Sequence, residues 1–385
     1  MKKKITEYEG FELGPIRPPS EARSLLLRLT RNCPWNRCTF CGLYKGEEFS
    51  IRPVAHIVKD IDTIRQYVDD IQNIMEQSGG INHRQLTALH ADKSSADQMA
   101  FHTSLNWIRG GMKSIFLQDA NSLIMKTDQL VEILIHIKTL FPEVSRITSY
   151  ARSHTIARKS DAEMKSLAEA GLNRLHIGME SASDPVLEFV KKGVDKKTHI
   201  IAGKKVKRAG IELSEYFMPG LGGVKFSREN ALETSDALNK INPDFIRIRS
   251  LALPESLVLF KDYQEGTFTK IGDLQVAEEL LLFFENLHGI TSMVKSDHIV
   301  NLFQEAEGRL PEEKEKILAP IRKFLVLEPE QQMVYMVGRR AGLFSKLADM
   351  ANPNVLIQVE NIIKTHQLTP ETVDEYTADR LKRFI

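Results

Sequence analysis

The sequence predicts an α/β protein: six β-strands, each but the last followed by a helix, then a mostly helical C-terminal region. Three observations carry this. Short apolar runs alternate with amphipathic stretches of helical period. Helix-end signals fall where the alternation needs them. Beyond about residue 255 the alternation gives way to helical patterns. The expected organisation is therefore a lead-in over 1–22, a (β/α)6 core over 23–255 and a helical region over 256–385.

The first expected strand is "SLLLRLT" (24–30), an apolar run with little polar interruption, as in a buried parallel strand. "VAHIVKDIDTIRQYVDDIQNIMEQ" (54–77) places Ile57, Ile61, Ile64, Val68, Ile71 and Met75 at helical spacing. A second helical stretch spans roughly 86–109. "KSIFLQD" (113–119) is a strand, followed by a helix over 127–141 with Thr127 as its N-cap. "RITSYAR" (146–152) leads to a helix over 160–171, where Ser160 and Glu163 form a capping box and Gly171 is the stop. "RLHIGME" (174–180) precedes a helix over 198–210 that ends on Gly210. "IELSEYFMPG" (211–220) precedes a helix over 227–242, and "DFIRIRSL" (244–251) is the sixth strand. Repeated β-then-α units imply a parallel sheet with right-handed crossovers, either an open partial barrel or a doubly wound sheet. In the last region, 273–289, 311–325 and 356–367 read as helices and 289–298 as an added strand.

Bulk properties exclude several classes. The net charge of +1 gives no global case for nucleic acid, and the basic run "GKKVKR" (203–208) reads as a solvated helix face. No apolar run approaches the length of a membrane span. The start "MKKKITEYEGFELG" lacks the apolar stretch of a secretory signal. An odd number of cysteines argues against a disulfide framework, so a cytoplasmic setting is expected.

All three cysteines, Cys33, Cys38 and Cys41, lie within nine residues just after the first strand. A structural zinc site needs four ligands, and no fourth cysteine exists; His56 is the nearest histidine. A redox C-x-x-C pair leaves Cys33 unexplained. A cubane iron–sulfur cluster normally takes four cysteines, so three leave one iron open, as chemistry at a metal requires. A catalytic cluster, a zinc or electron-transfer site with a non-cysteine ligand, and no metal at all remain open on spacing alone.

"CPWNRCTFC" resembles the cluster loop of the radical S-adenosylmethionine (SAM) superfamily. That pattern is usually C-x3-C-x2-C with an aromatic residue before the last cysteine. Cys38, Cys41 and Phe40 match it, whereas four residues separate Cys33 from Cys38. "RLHIGMESASDPVLEFVKKG" and "AGIELSEYFMPGLGG" are similar to the fourth- and fifth-strand segments of oxygen-independent coproporphyrinogen oxidases and methylthiotransferases. The resemblance covers roughly 20–255. It implies a partial (β/α)6 radical SAM barrel and a [4Fe-4S] cluster on Cys33, Cys38 and Cys41. It also implies SAM on the open iron, cleaved reductively to a 5′-deoxyadenosyl radical that takes hydrogen from a substrate. An electron donor such as flavodoxin or ferredoxin is implied as well.

On the same resemblance Phe40 flanks adenine. Gln118 and Asp119 stand where the family has a Gly-Gly-Glu segment for the SAM amino group, with an N-cap as the alternative for Asp119. Glu180 meets the ribose hydroxyls, and Gly220 lies where the backbone approaches adenine. Arg152 is a candidate partner for the SAM carboxylate. Arg247 and Arg249, two apart on one strand, share a face and suit either an anionic substrate or acidic partners at the rim. Asp297 and His298 form either a proton relay or a loop pair. Catalytic candidates are thus Arg247, Arg249 and His298. The lack of further cysteines disfavours sulfur insertion with an auxiliary cluster and cysteine-based RNA methylation, and no cobalamin domain is expected in the thirty-odd residues before the loop. A small-molecule or peptide substrate remains. The alternative is a non-catalytic iron–sulfur sensor on a degenerate scaffold of the same kind.

Overall fold

A computed structural model describes residues 7–382; the first six residues of the basic start lie outside the described residues. The chain divides into two compact units: Met1–Pro34, Gly46–His176 and Arg208–Ile211 form the first, and Trp35–Lys45, Ile177–Lys207 and Glu212–Ile385 the second.

In the first unit, β1 (Leu25–Arg28) leads into β2 (Thr30–Arg31), which pairs antiparallel with β3 (Ser50–Ile51). Helix α1 (Val54–Gln77) follows. Its stripe of Ile57, Ile61, Ile64, Val68 and Ile71 is fully buried, each side chain worth about 1.5–3 kcal/mol. The stretch expected as one helix over 86–109 is two, α2 (His83–His90) and α3 (Ser95–Arg109). Asn82 and Ser94 each accept a bond from a backbone N–H three residues on, so the second cap restarts the chain after a polar break. Then come β4 (Ser114–Gln118), α4 (Thr127–Leu140), β5 (Arg146–Ala151), α5 (Ser153–Arg158) and α6 (Asp161–Glu169). The Ser160–Glu163 capping box forms as expected. Thr127 is not the N-cap; Lys126 is. The Thr127 hydroxyl donates instead to Glu163 Oε1 at 2.6 Å.

Strand β6 (Arg174–Glu180) runs out of the first unit into the second, which continues with α7 (Asp184–Phe189), α8 (Lys196–Arg208), β7 (Glu212–Phe217), α9 (Gly223–Ile241) and β8 (Phe245–Ile248). Beyond it lie α10 (Val258–Gln264), α11 (Asp273–Glu285), β9 (Met293–Lys295), β10 (Gly308–Arg309), α12 (Lys314–Leu325), α13 (Pro329–Arg340), α14 (Pro353–Thr365) and α15 (Val373–Leu381). β9 is the added strand expected within 289–298. Helix α13 buries Met333, Tyr335, Met336 and Val337 together with two arginines, Arg340 meeting Asp273 and Arg339 donating to the carbonyl of Leu302.

The sheet has eight strands in the order β1-β4-β5-β6-β7-β8-β9-β10. β1–β4, β4–β5, β7–β8 and β8–β9 are parallel, and β9–β10 antiparallel. Every new strand is added at the same edge. That is the winding of an open (β/α) barrel; a doubly wound sheet reverses direction part-way. The fold is thus an α/β partial barrel followed by a mainly helical region. Among the described residues no helix is long and apolar enough to cross a membrane.

Candidate cofactor site

The β2–β3 pair encloses residues 32–49, the segment holding all three cysteines. The neck of this loop belongs to the first unit. Arg31 makes a two-pronged pair with Glu12, Nε to Oε2 at 2.9 Å and Nη2 to Oε1 at 2.6 Å. Arg28 Nη1 reaches Glu12 Oε2 at 3.2 Å, and Arg52 Nε stands 2.6 Å from Glu12 Oε1 as an ion-pair contact. Burial raises the Glu12 carboxyl, but the Arg31 hydrogen bond and the charges of Arg52, Arg31 and Arg28 outweigh it and leave it below its usual value.

Gln118 and Asp119, expected at the SAM amino group, are committed within this unit. The Gln118 side chain accepts from the Gly14 N–H at 2.9 Å and donates to the Ile16 carbonyl at 2.6 Å. Fully buried Asp119 accepts from Arg28 Nε at 2.9 Å and from the Asn32 N–H at 3.3 Å through Oδ2. A Cβ on Gly14 would overlap this carboxylate. The turn after β4 starts at Asn121, so Asp119 is not its N-cap. The Arg152 backbone N–H donates to Asn121 Oδ1 at 3.0 Å, and its side chain is half-buried.

In the second unit, the loop segment 35–45 packs on α7 and the residues after it. Trp35 Nε1 donates to the Lys191 carbonyl at 2.7 Å, and a Cβ on Gly193 would overlap the indole. Asn36 adopts a left-handed φ of 45°. Its side-chain amide donates to the Tyr44 carbonyl, and its own carbonyl accepts from Lys45 Nζ at 2.7 Å. The Thr39 N–H donates to the Val190 carbonyl at 3.0 Å. Phe40 packs against the cluster of Val186, Val190, Met218 and Leu221, with Lys192 Nζ 5.4 Å from its ring centre. The widened Cys33–Cys38 interval thus carries an anchored tryptophan and a left-handed asparagine. Cys33, Cys38 and Cys41 are partly exposed, and none is in a disulfide. Among the described residues no three His, Cys, Asp or Glu side chains stand gathered as ligands of one metal ion. The donor set, three partly exposed thiols in one loop, has the soft chemistry that iron–sulfur clusters take.

Glu180 ends β6 with a φ of 67° and pairs with Lys192 at 3.5 Å. Near it lies a residue that sequence reading missed. Glu215 on β7 is fully buried, and neither carboxyl oxygen has a hydrogen-bond partner. Burial, and then the charge of Glu180, push its carboxyl well above the usual range, with Lys192 opposing. Gly220 has a φ of 86°, which favours glycine whatever the space around it. Its N–H donates to Glu279 Oε1 at 3.1 Å. Glu279 also accepts from Ser227 Oγ at 2.5 Å and from Asn230 Nδ2 at 2.7 Å. Burial pushes the Glu279 carboxyl up to about 7 against these three donors. Its glutamate lies among the apolar positions of α11, a polar break that gave no signal of its partner.

At β8, Arg247 is buried. Its Nε donates to Ser214 Oγ at 3.1 Å, and Nη1 meets Asp297 Oδ2 at 3.3 Å. This is the acidic-partner alternative for that arginine. Arg249 is half-buried; its backbone N–H donates to the Phe217 carbonyl at 3.0 Å. His298 Nδ1 accepts from the Val300 N–H at 3.3 Å. Burial, and then the Arg249 charge, push His298 down to about 4 against the opposing Asp297. Arg247, Arg249, Asp297 and His298 therefore form one electrostatic cluster.

With this geometry in place, comparison with known proteins bears on the class. Residues 103–234 match the model of the radical SAM superfamily. The family's cofactors are a [4Fe-4S] cluster and SAM. The chain is similar to an uncharacterized methyltransferase of Pyrococcus horikoshii, 30% identical over 37% of this chain and 30% of that one. It is also similar to the heme chaperone HemW of Bacillus subtilis, 24% identical over 46% of this chain and 48% of that one. The chain spans between 20% and 48% of the length of the curated relatives it matches. Among solved structures, the coproporphyrinogen III oxidase HemN of Escherichia coli aligns with a TM-score of 0.45 and 14% identity, over 69% of this chain and 52% of that one.

Proposed function

We propose that the chain is a radical SAM enzyme in which Cys33, Cys38 and Cys41 hold a [4Fe-4S] cluster and leave one iron for SAM. The observation that carries this reading is the placement of every cysteine in one loop between the first strand and α1, in a chain whose later βα units match the superfamily. When bound, the cluster supplies the electron that cleaves SAM. The protein's own residues position and shield. Phe40 offers its ring to adenine. Glu180, with its charge offset by Lys192, offers carboxylate oxygens to the ribose hydroxyls. Gly220 lets the backbone approach the base, in a turn fixed from behind by Glu279. Arg152 is the cation for the SAM carboxylate. The substrate is a small molecule or peptide; Arg249, beside a neutral His298, is the cation for an anionic group on it. The electron comes from a flavodoxin- or ferredoxin-type donor, in the cytoplasm.

The test is anaerobic reconstitution followed by iron analysis and electron paramagnetic resonance (EPR). The reading expects about four irons per chain and a change in the reduced-cluster spectrum when SAM is added. A cluster indifferent to SAM would favour the sensor alternative, and no cluster at all would contradict both.

A further inference from the structure

The loop that holds the cysteines has a neck, and two carboxylates from outside the loop close on it. Glu12, from the N-terminal segment, takes Arg31 on one side of the neck and Arg52 on the other. Asp119, just past β4, takes the Asn32 N–H and Arg28. The neck adds its own cross-link, Asn32 Nδ2 to the Glu48 carbonyl at 2.6 Å. The base is tied further by the Arg52 N–H to the Leu29 carbonyl at 3.1 Å and by Arg52 Nη1 to the Arg28 carbonyl at 2.7 Å. Asn32 sits at a φ of 65°, so the chain leaves the neck through a left-handed residue. Its direction is set there by fixed partners, because such a conformation persists only where its surroundings enforce it.

We infer that Glu12 and Asp119 are positioning residues for the neck of the cysteine loop: together they fix the point from which Cys33 departs. The inference rests on the cluster reading for its consequence, but not for its geometry. Charge-assisted, two-pronged bonds such as Arg31–Glu12 are the strong kind. One carboxylate facing three guanidinium groups is a hub whose removal leaves cations facing one another. Positioning the neck is a different role for Asp119 from contact with the SAM amino group, because its Oδ2 already faces Arg28 and the neck amide.

The test uses the full chain and two readouts. In the metal-free protein, Glu12→Gln, Asp119→Asn and Arg31→Gln are each expected to speed amide hydrogen exchange across residues 29–33 and 48–53. The expected factor is about ten, with α1 and the β7–β8 pair unchanged. The double variant Glu12→Gln/Arg31→Gln is expected to exchange no faster than the more affected single variant, because one interaction is lost in all three. In the reconstituted protein, the single variants are expected to shift the EPR line shape and the midpoint potential, with Glu12→Asp closer to wild type than Glu12→Gln. Unchanged exchange at the neck, or a rise spread evenly over the whole chain, would overturn the inference. If the wild type takes up no cluster, the functional reading fails, and the exchange comparison still decides the clamp.

Discussion

Trp35 occupies the space that a side chain on Gly193 would need. The indole is bonded to the neighbouring Lys191 carbonyl, and Gly193 has a φ of 70°. The widened first cysteine interval therefore contains an anchored residue. Gly193→Ala is expected to expel the indole and strain the backbone, at a combined cost of about 2 kcal/mol. A red-shifted tryptophan emission and a lower iron content after reconstitution would register it. An unchanged spectrum with full iron uptake would show that the anchor is idle.

Glu279 binds the turn at Gly220 from a fully buried position. Its carboxyl is raised above the unfolded value, so it favours the folded state most at low pH. That contribution is lost as pH rises from the unfolded value to about 7, amounting to roughly 3 kcal/mol. Glu279→Gln is expected to flatten this part of the stability–pH curve, being neutral throughout. Equal pH slopes in denaturant unfolding of the two proteins between pH 5 and 8 would reject the assignment.

His298 reports the charges around it. Its depressed value means that the folded state resists protonation, so its contribution to stability falls as pH drops from the ordinary histidine range toward about 4. Arg249→Gln is expected to raise its titration midpoint and Asp297→Asn to lower it, read from the imidazole signals by NMR. Shifts of the opposite sign would dissolve the cluster.

Glu215 is buried without hydrogen bonds. In the metal-free, SAM-free chain, Glu215→Leu is expected to be neutral or stabilising by about 1–3 kcal/mol, since it removes an unpaired polar group. Thermal unfolding measures it. A large loss of stability would mean that the carboxyl has a structural partner.

What the sequence discloses follows the range of the interactions. The six core strands and the buried stripe of α1 were legible, because periodicity and burial are local matters. So were the Ser160–Glu163 box and the stops at Gly171 and Gly210, both at positive φ. Thr127 was misread because its hydroxyl is drawn to Glu163, 36 residues away. The three cysteines announce their own chemistry. Glu12 and Trp35 do not, since each meets partners that only the fold brings near. Gln118 and Asp119 stand at a strand end that the sequence marks, and their protein partners, Gly14, Ile16, Arg28 and Asn32, are ones that only the fold brings near.

The most direct measurement is mass spectrometry for 5′-deoxyadenosine after anaerobic reconstitution, reduction and addition of SAM. The expected result is 5′-deoxyadenosine from the wild type and none from Cys33→Ala, Cys38→Ala or Cys41→Ala. A fully loaded wild-type cluster that yields no 5′-deoxyadenosine, or yields the same amount from a cysteine variant, would contradict the account.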